Sequence, residues 1–309
     1  MGIVMSLEKE IIKILMEEDK EKLKRYIMAV LKPEKIDIIS EEDFEKYFVI
    51  TDSISTLAKI LTAMCKLKER AVNVITGPRG VGKTTTLRYI FFLLKKHTKV
   101  ALFSSIGQLL NARGDECIFI IDPLESLRQI IGTIKMVEKF ASVYIELPPY
   151  LVLRGFEQGV FEDSWQIMIL LPPRESIIRE IVKRRFGEAS QVVRNPLLSL
   201  LLQIRSREEL GINLEDAVKK LRGTKQRILW TLTARENGMC VKEISEMVGR
   251  SPATISRHLK ELEEDRLLRG ERTGKKMFYR ISTIGVRVAA EETIVEEILR
   301  KWGSRVFVI

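Results

Sequence analysis

The spacing of apolar residues changes twice along the chain, and each change marks a change of architecture. In residues 1–70 apolar positions recur every three or four, in LEKEIIKILMEED and again in DKEKLKRYIMAVL, which predicts helices interrupted at LKPEKIDIIS. A further helix is expected over DSISTLAKILTAMCKLKE, opened by Asp52 or Ser53 as N-cap. The pattern then shifts to short unbroken apolar runs: AVNVIT at 71–76, KVALFSS at 99–105, CIFIID at 117–122, SVYIEL at 142–147 and WQIMILL at 165–171. Unbroken runs suit strands buried on both faces, and the helical crossovers between them predict an α/β fold with a five-stranded parallel sheet.

The strands stop after LPPRESIIREIVKRRF, a helical stretch reaches about Leu221, and a third pattern begins at residue 222. TKQRILWTLTAREN places Ile228, Leu229 and Leu232 on one packed face, and VKEISEMVG is a short helix ending at Gly249. SPATISRHLKELEEDRLL starts with Ser251 as N-cap and Pro252 at the first helical position. LLRGERTGKKMFYRIS follows as two β segments around a basic, Gly-containing turn. Helix, tight turn, helix is the arrangement that lays its second helix in the major groove of DNA. The end of the chain holds a helix candidate, AAEETIVEEILRKWG, and an apolar tail, VFVI, suited to docking on the protein's own body or on another subunit. The expected division is an N-terminal helical segment at 1–44, an α/β core at 45–186, a helical lid at 187–221 and a winged-helix unit with a C-terminal helix at 222–309.

At 309 residues there is room for more than one domain, and 45% hydrophobic with 30% charged residues describes a globular chain rather than a disordered one. The net charge of +10 makes a polyanionic partner worth testing. Cys65, Cys117 and Cys240 follow no metal or redox spacing, so reduced thiols in a cytoplasmic protein are expected, nucleoid-associated if it binds DNA. No apolar run approaches the ~20 residues that span a bilayer. The opening lacks the basic start and apolar core of a signal peptide. The Met-Gly start with Ser6 fits the beginning of a myristoylation signal, but nothing else points to a membrane. Scarce Asn and Gln beside abundant Lys, Arg and Glu resemble thermophile composition.

One stretch carries specific chemistry. GPRGVGKT runs from Gly77 through Pro78, Arg79, Gly80, Val81, Gly82 and Lys83 to Thr84, with Thr85 following, and fits the phosphate-loop pattern between a strand and a helix. Glycines let backbone N–H groups wrap an anion, and the helix adds its positive N-terminal end. Lys83 would reach the β- and γ-phosphates of a nucleotide and Thr84 would ligate magnesium. Asp122, ending CIFIID, is the expected acidic partner of that magnesium. Pro123 stands where many hydrolysing enzymes of this class place a water-orienting Glu, which leaves the base open between Glu125 and Glu146.

GPRGVGKTTTL with FIID, five strands and a helical lid resembles the AAA+ and STAND NTPases, especially archaeal ATPases of this loop type, over residues 45–220. That resemblance implies ATP or ADP with Mg2+ as cofactor, and it implies that MILLPPRESIIREIVKRRF is the entry to the lid. It also implies that Pro196 in RNPLL lies near adenine and that Arg194 serves as a second sensor. Arg154, Arg184 and Arg185 are candidates for an arginine finger, with solvated helix-face charges as the alternative for each.

The C-terminal unit resembles winged-helix domains of the ArsR and MarR type, with SPATISRHLKELEEDRLL matching their recognition helix. From Arg250 to Arg287 there are ten basic residues against five acids, and the acids crowd the end of that helix. Ser251, Thr254, Ser256, Arg257 and Lys260 are expected to face bases or phosphates, and Arg272, Lys275 and Lys276 on the wing to meet the backbone or minor groove. His258 reads as a phosphate contact or a surface residue.

These readings imply a nucleotide-switched, DNA-binding ATPase of slow turnover, ordered like the archaeal and eukaryotic origin-recognition initiators. The chain departs from them in its length, in Pro123 and in RNPLL where initiators place a Gly-x-x-Arg type sensor. Two alternatives stand beside this reading: an ATP-dependent winged-helix transcription regulator, and a STAND-type signalling or defence NTPase whose winged helix docks protein. Double-stranded DNA is the expected partner, a homo-oligomer is left open, and no membrane is expected.

Overall fold

The computed structural model describes residues 48–66, 71–96, 98–103, 117–120, 126–137, 142–171, 214–235, 237–282 and 284–309, with a few isolated positions between them. The N-terminal helices, Asp122, Glu125, Arg184, Arg185, Arg194 and Pro196 lie outside the described residues.

A helix, α1 (Asp52–Lys66), leads into β1 (Ala71–Thr76), and the glycine-rich loop delivers the chain to α2 (Lys83–Lys95). Four more strands follow: β2 (Val100–Phe103), β3 (Cys117–Ile120), β4 (Ser142–Glu146) and β5 (Trp165–Ile169). Between them lie α3 (Leu127–Val137) and α4 (Pro149–Glu157). All of these strands pair in parallel. The apolar runs thus form the strands expected of them; β2 begins one residue into KVALFSS, β4 stops one residue short of the end of SVYIEL, and β5 stops two residues short of the end of WQIMILL.

Among the described residues the sheet has six strands, not five. Its order is β2-β3-β4-β1-β5-β9, and the sixth is the chain's last element, β9 (Val306–Val308), paired in parallel with β5. The VFVI tail therefore docks on the protein's own body. Ile309 N donates to Ile169 O at 2.9 Å, and Leu171 N to Ile309 O at 3.1 Å, which extends the ladder past the strand itself. A three-residue strand is too short to show an apolar period, so only pairing reveals it.

Alternation along the strands divides the core into two faces. Ile75, Tyr144 and Met168 meet Leu57 and Leu61 of α1 and Leu87, Ile90 and Leu94 of α2. Val74, Ile145 and Ile167 meet Ile130 of α3 and the buried run Tyr150–Leu153 of α4. The second face continues without a break into the C-terminal unit.

That unit is built from α5 (Leu214–Lys220), α6 (Gly223–Thr233), β6 (Met239–Cys240), α7 (Val241–Val248), α8 (Pro252–Glu264), the hairpin β7 (Leu268–Thr273) and β8 (Lys276–Ile281), and α9 (Ile284–Trp302). The short sheet is antiparallel in the order β6-β8-β7. Ile228, Leu229 and Leu232 are buried as the apolar spacing requires. Phe156 of α4 stacks on Trp302 of α9 with centroids 5.0 Å apart, Thr231 Oγ1 lies 2.9 Å from the Tyr150 hydroxyl, and Trp230 Nε1 donates to Thr293 Oγ1 at 2.8 Å. Burial pushes the Tyr150 phenol pKa up, so the hydroxyl stays protonated in that contact.

Candidate functional site

Two candidate sites emerge. The first lies where β1 ends. The chain leaves β1 through α2 toward the β2 edge, but leaves the neighbouring β4 through α4 toward β5. Adjacent strands whose connections run in opposite directions open a crevice at their carboxyl ends, which is where open α/β sheets take ligands. Residues 77–82 sit there.

Their backbone is one that glycine adopts readily. Gly80 and Gly82 have φ of 89° and 92°, and Gly77, at 150°, leaves no space for a Cβ, which would fall 2.3 Å from Leu170 O. Gly82 caps α2 without any side-chain hydrogen bond, and the first turn holds no acid. The N–H groups that open a helix have no partner within it, so this terminus suits an anion.

Lys83 and Thr84 meet an acid from the neighbouring strand. Thr84 Oγ1 donates to Glu146 Oε2 at 2.6 Å, and Lys83 Nζ lies 3.9 Å from Glu146 Oε1. Lys83 also donates to Gly77 O at 2.9 Å and Pro78 O at 3.1 Å, folding back over the loop. Of the acids named from sequence, Glu146 is thus brought to the loop. Arg154 is engaged by Glu157 at 2.8 Å within its own helix.

A residue not singled out from sequence completes the loop. Arg79 N donates to Glu291 Oε2 of α9 at 2.6 Å. Glu291 is 5% exposed and lies 3.4 Å from Arg287, whose guanidinium also donates to Thr233 O. Burial holds the Glu291 carboxyl pKa above its ordinary value, and the charges of Lys83 and Arg287 and the Arg79 N–H offset that rise only in part. The signal in sequence was a carboxylate within an apolar stripe: Glu291 stands four residues before Val295 and seven before Ile298, both buried.

The second site is the outer surface of α8 and the wing. Ile255, Leu259 and Leu262 turn inward, which leaves Ser256, Arg257 and Lys260 exposed on the opposite side. Ser251 Oγ accepts from Thr254 N at 3.3 Å and lies 2.9 Å from Thr254 Oγ1, so both hydroxyls serve first to cap the helix. His258 Nδ1 sits 3.1 Å from Glu261, which also meets Lys225 at 3.0 Å. These partners hold the Glu261 carboxyl below its ordinary pKa. His258 therefore belongs to a side-chain cluster joining α8 to α6.

Gly274, with φ of 61°, opens the two-residue loop between β7 and β8; Lys275 within that loop and Lys276 at the start of β8 are exposed. Arg272 Nε donates to Gly274 O at 3.3 Å, and Arg280 pairs with Glu271. Arg287, counted from sequence among the basic residues of this region, is turned inward to Glu291 and leaves the DNA-facing charge. Glu263 Oε1 accepts from Gly270 N at 2.8 Å, fastening the wing to the end of α8.

Residues 221–269 match the family of winged helix-turn-helix DNA-binding domains. Over 64 residues the chain is 41% identical to the HTH-type transcriptional regulator KmtR of Mycobacterium tuberculosis, which covers 21% of this chain and 48% of that protein. The chain thus spans about half the length of the curated relative it matches. Among solved structures, a homodimeric winged helix-turn-helix DNA-binding domain from Mycobacterium bovis is 24% identical, covering 33% of this chain and 84% of its own, with a TM-score of 0.24. ZitR of Lactococcus lactis is 28% identical, covering 28% of this chain and 60% of its own, with a TM-score of 0.24. No helix among the described residues is long and apolar enough to cross a membrane. The family match and the fold of α6 to β8 agree: the C-terminal part of this chain is a winged helix-turn-helix DNA-binding domain.

Proposed function

We propose that the chain is a DNA-binding transcription regulator whose winged helix is switched by ATP and magnesium held at residues 77–84. The observation that carries the regulatory half is the 41% identity to a transcription regulator, which puts more weight on transcription than on replication initiation. The nucleotide half rests on the loop. Gly77 leaves no space for a Cβ, Gly80 and Gly82 hold positive φ, the helix opens without a side-chain cap, and Lys83 and Thr84 stand together beside Glu146. Lys83 would sit beside the terminal phosphates, and Thr84 with Asp122 would hold magnesium. Magnesium would neutralise phosphate charge when bound. Glu146 would orient water or join the metal's ligands, and turnover on the order of one per minute or less, below the ~1 to 10³ per second of ordinary enzymes, is expected from Pro123 after Asp122.

Calorimetry with magnesium ATP tests the first half: the wild-type chain binds and Lys83→Ala does not. An electrophoretic shift on random duplex, followed by footprinting on promoter and origin fragments, tests the second. Protection confined to origins would restore the initiator reading, and no shift on any duplex would make the winged helix a protein-docking module.

A further inference from the structure

The contact between Glu291 and the glycine-rich loop joins residues 212 apart in sequence. A carboxylate this buried is costly unless donors compensate it. It accepts a hydrogen bond from the backbone N–H of Arg79 and is ion-paired with the Arg287 guanidinium, with the Lys83 charge close enough to act on it. A backbone N–H of a glycine-rich loop and a lysine at the start of its helix are what a phosphate oxygen would use. Glu291 thus offers that loop the chemistry of its anionic ligand.

We infer that Glu291 stands in for a phosphate group, so that docking of α9 on the loop and binding of a nucleoside triphosphate exclude one another. This rests on the reading of residues 77–84 as the nucleotide site. The carboxylate is on the helix that follows the wing, and Thr293, two residues on, is bonded to Trp230 of α6. A terminal phosphate entering beside Lys83 places like charge against Glu291, which drives α9 away and moves the DNA-binding domain with it. Coupling of this kind is reciprocal: whatever docking takes from nucleotide affinity, nucleotide takes from docking.

The test is calorimetric titration of magnesium ATP into the full chain, as wild type, Glu291→Gln and Glu291→Met, each also carrying Lys83→Ala as a control. Thermal unfolding identifies the variants that fold, and either one suffices. Removal of the charge is expected to tighten ATP on the order of tenfold, within the 5–150-fold that coupled sites commonly show. Lys83→Ala should abolish binding in every background. Hydrogen exchange of the wild type is a second measurement, in which ATP should speed exchange across residues 286–298. Equal or weaker ATP affinity in the folded variants, or exchange unchanged at saturating ATP, overturns the inference and leaves the nucleotide reading standing. No ATP binding by wild type or variants overturns both.

Discussion

Replacing Lys275 and Lys276 together with Ala separates the wing's electrostatic role from recognition by α8. Both side chains are exposed at the hairpin tip, whereas Arg272 bonds the Gly274 carbonyl and Arg280 is paired with Glu271. If each lysine neutralises one phosphate, the double variant releases two fewer counterions. The slope of log affinity against log salt then becomes shallower by about 1.8, at roughly 0.9 per phosphate. Between about 50 and 200 mM salt that slope difference amounts to about twelvefold: the wild type should lose that much more affinity than the variant over the same range. Selectivity between specific and random duplex should stay the same, because phosphate contacts carry no direct sequence information. Exposed substitutions usually alter stability by no more than about 0.5 kcal/mol, so the fold should survive. Fluorescence anisotropy across a salt series on both duplexes provides the reading, and parallel slopes for wild type and variant would refute phosphate contact by these lysines.

Arg266 has a φ of 57° at the end of α8, where Arg266 N donates to Glu263 O and Leu267 N to Leu262 O. Glycine suits that backbone, so Arg266→Gly should raise stability in urea unfolding by about 0.5–1 kcal/mol, and a lower midpoint would contradict the strain. In α4, a Cβ on Gly155 would fall 2.3 Å from the Phe161 ring, which packs on Phe156 and Trp165. Gly155→Ala should therefore destabilise by about 1–3 kcal/mol despite the ~1 kcal/mol helix-propensity gain of alanine; thermal unfolding at unchanged or higher temperature would show that the ring gives way. Burial opposes ionisation of Glu243, but hydrogen bonds from Cys240 and Arg235 outweigh it and hold the carboxyl below its ordinary 4.5. Its contribution is present above pH 4.5 and is lost as pH falls through the lower folded value, so Glu243→Gln should flatten the acid limb of the stability profile; identical acid limbs would remove Glu243 from the account.

The apolar runs, the glycines of the loop and the caps of α8 were all legible in the chain because each is a local requirement. A buried strand needs consecutive apolar residues, a left-handed turn favours glycine, and a helix start needs an acceptor such as Ser251. Charge was legible as a count but not as a location. Arg287 added to the basic total of the C-terminal unit, yet it faces Glu291, because which side of α9 is covered depends on what packs there. The same holds for Glu146, whose approach to Thr84 follows from the register of β1 against β4, with Ile75 opposite Glu146. The sixth strand and the Glu291 contact were beyond local pattern altogether. Three residues carry no measurable period, and a hydrogen bond between Arg79 and Glu291 exists only because the second face of the sheet and the winged helix share one core. Sequence by itself indicated the buried strands β1 to β5, the glycine loop and the helices and hairpin of the winged helix, with the chemistry each carries; tertiary packing decided which of those chemistries meet, because meeting depends on how buried faces stack across distances that no local spacing encodes.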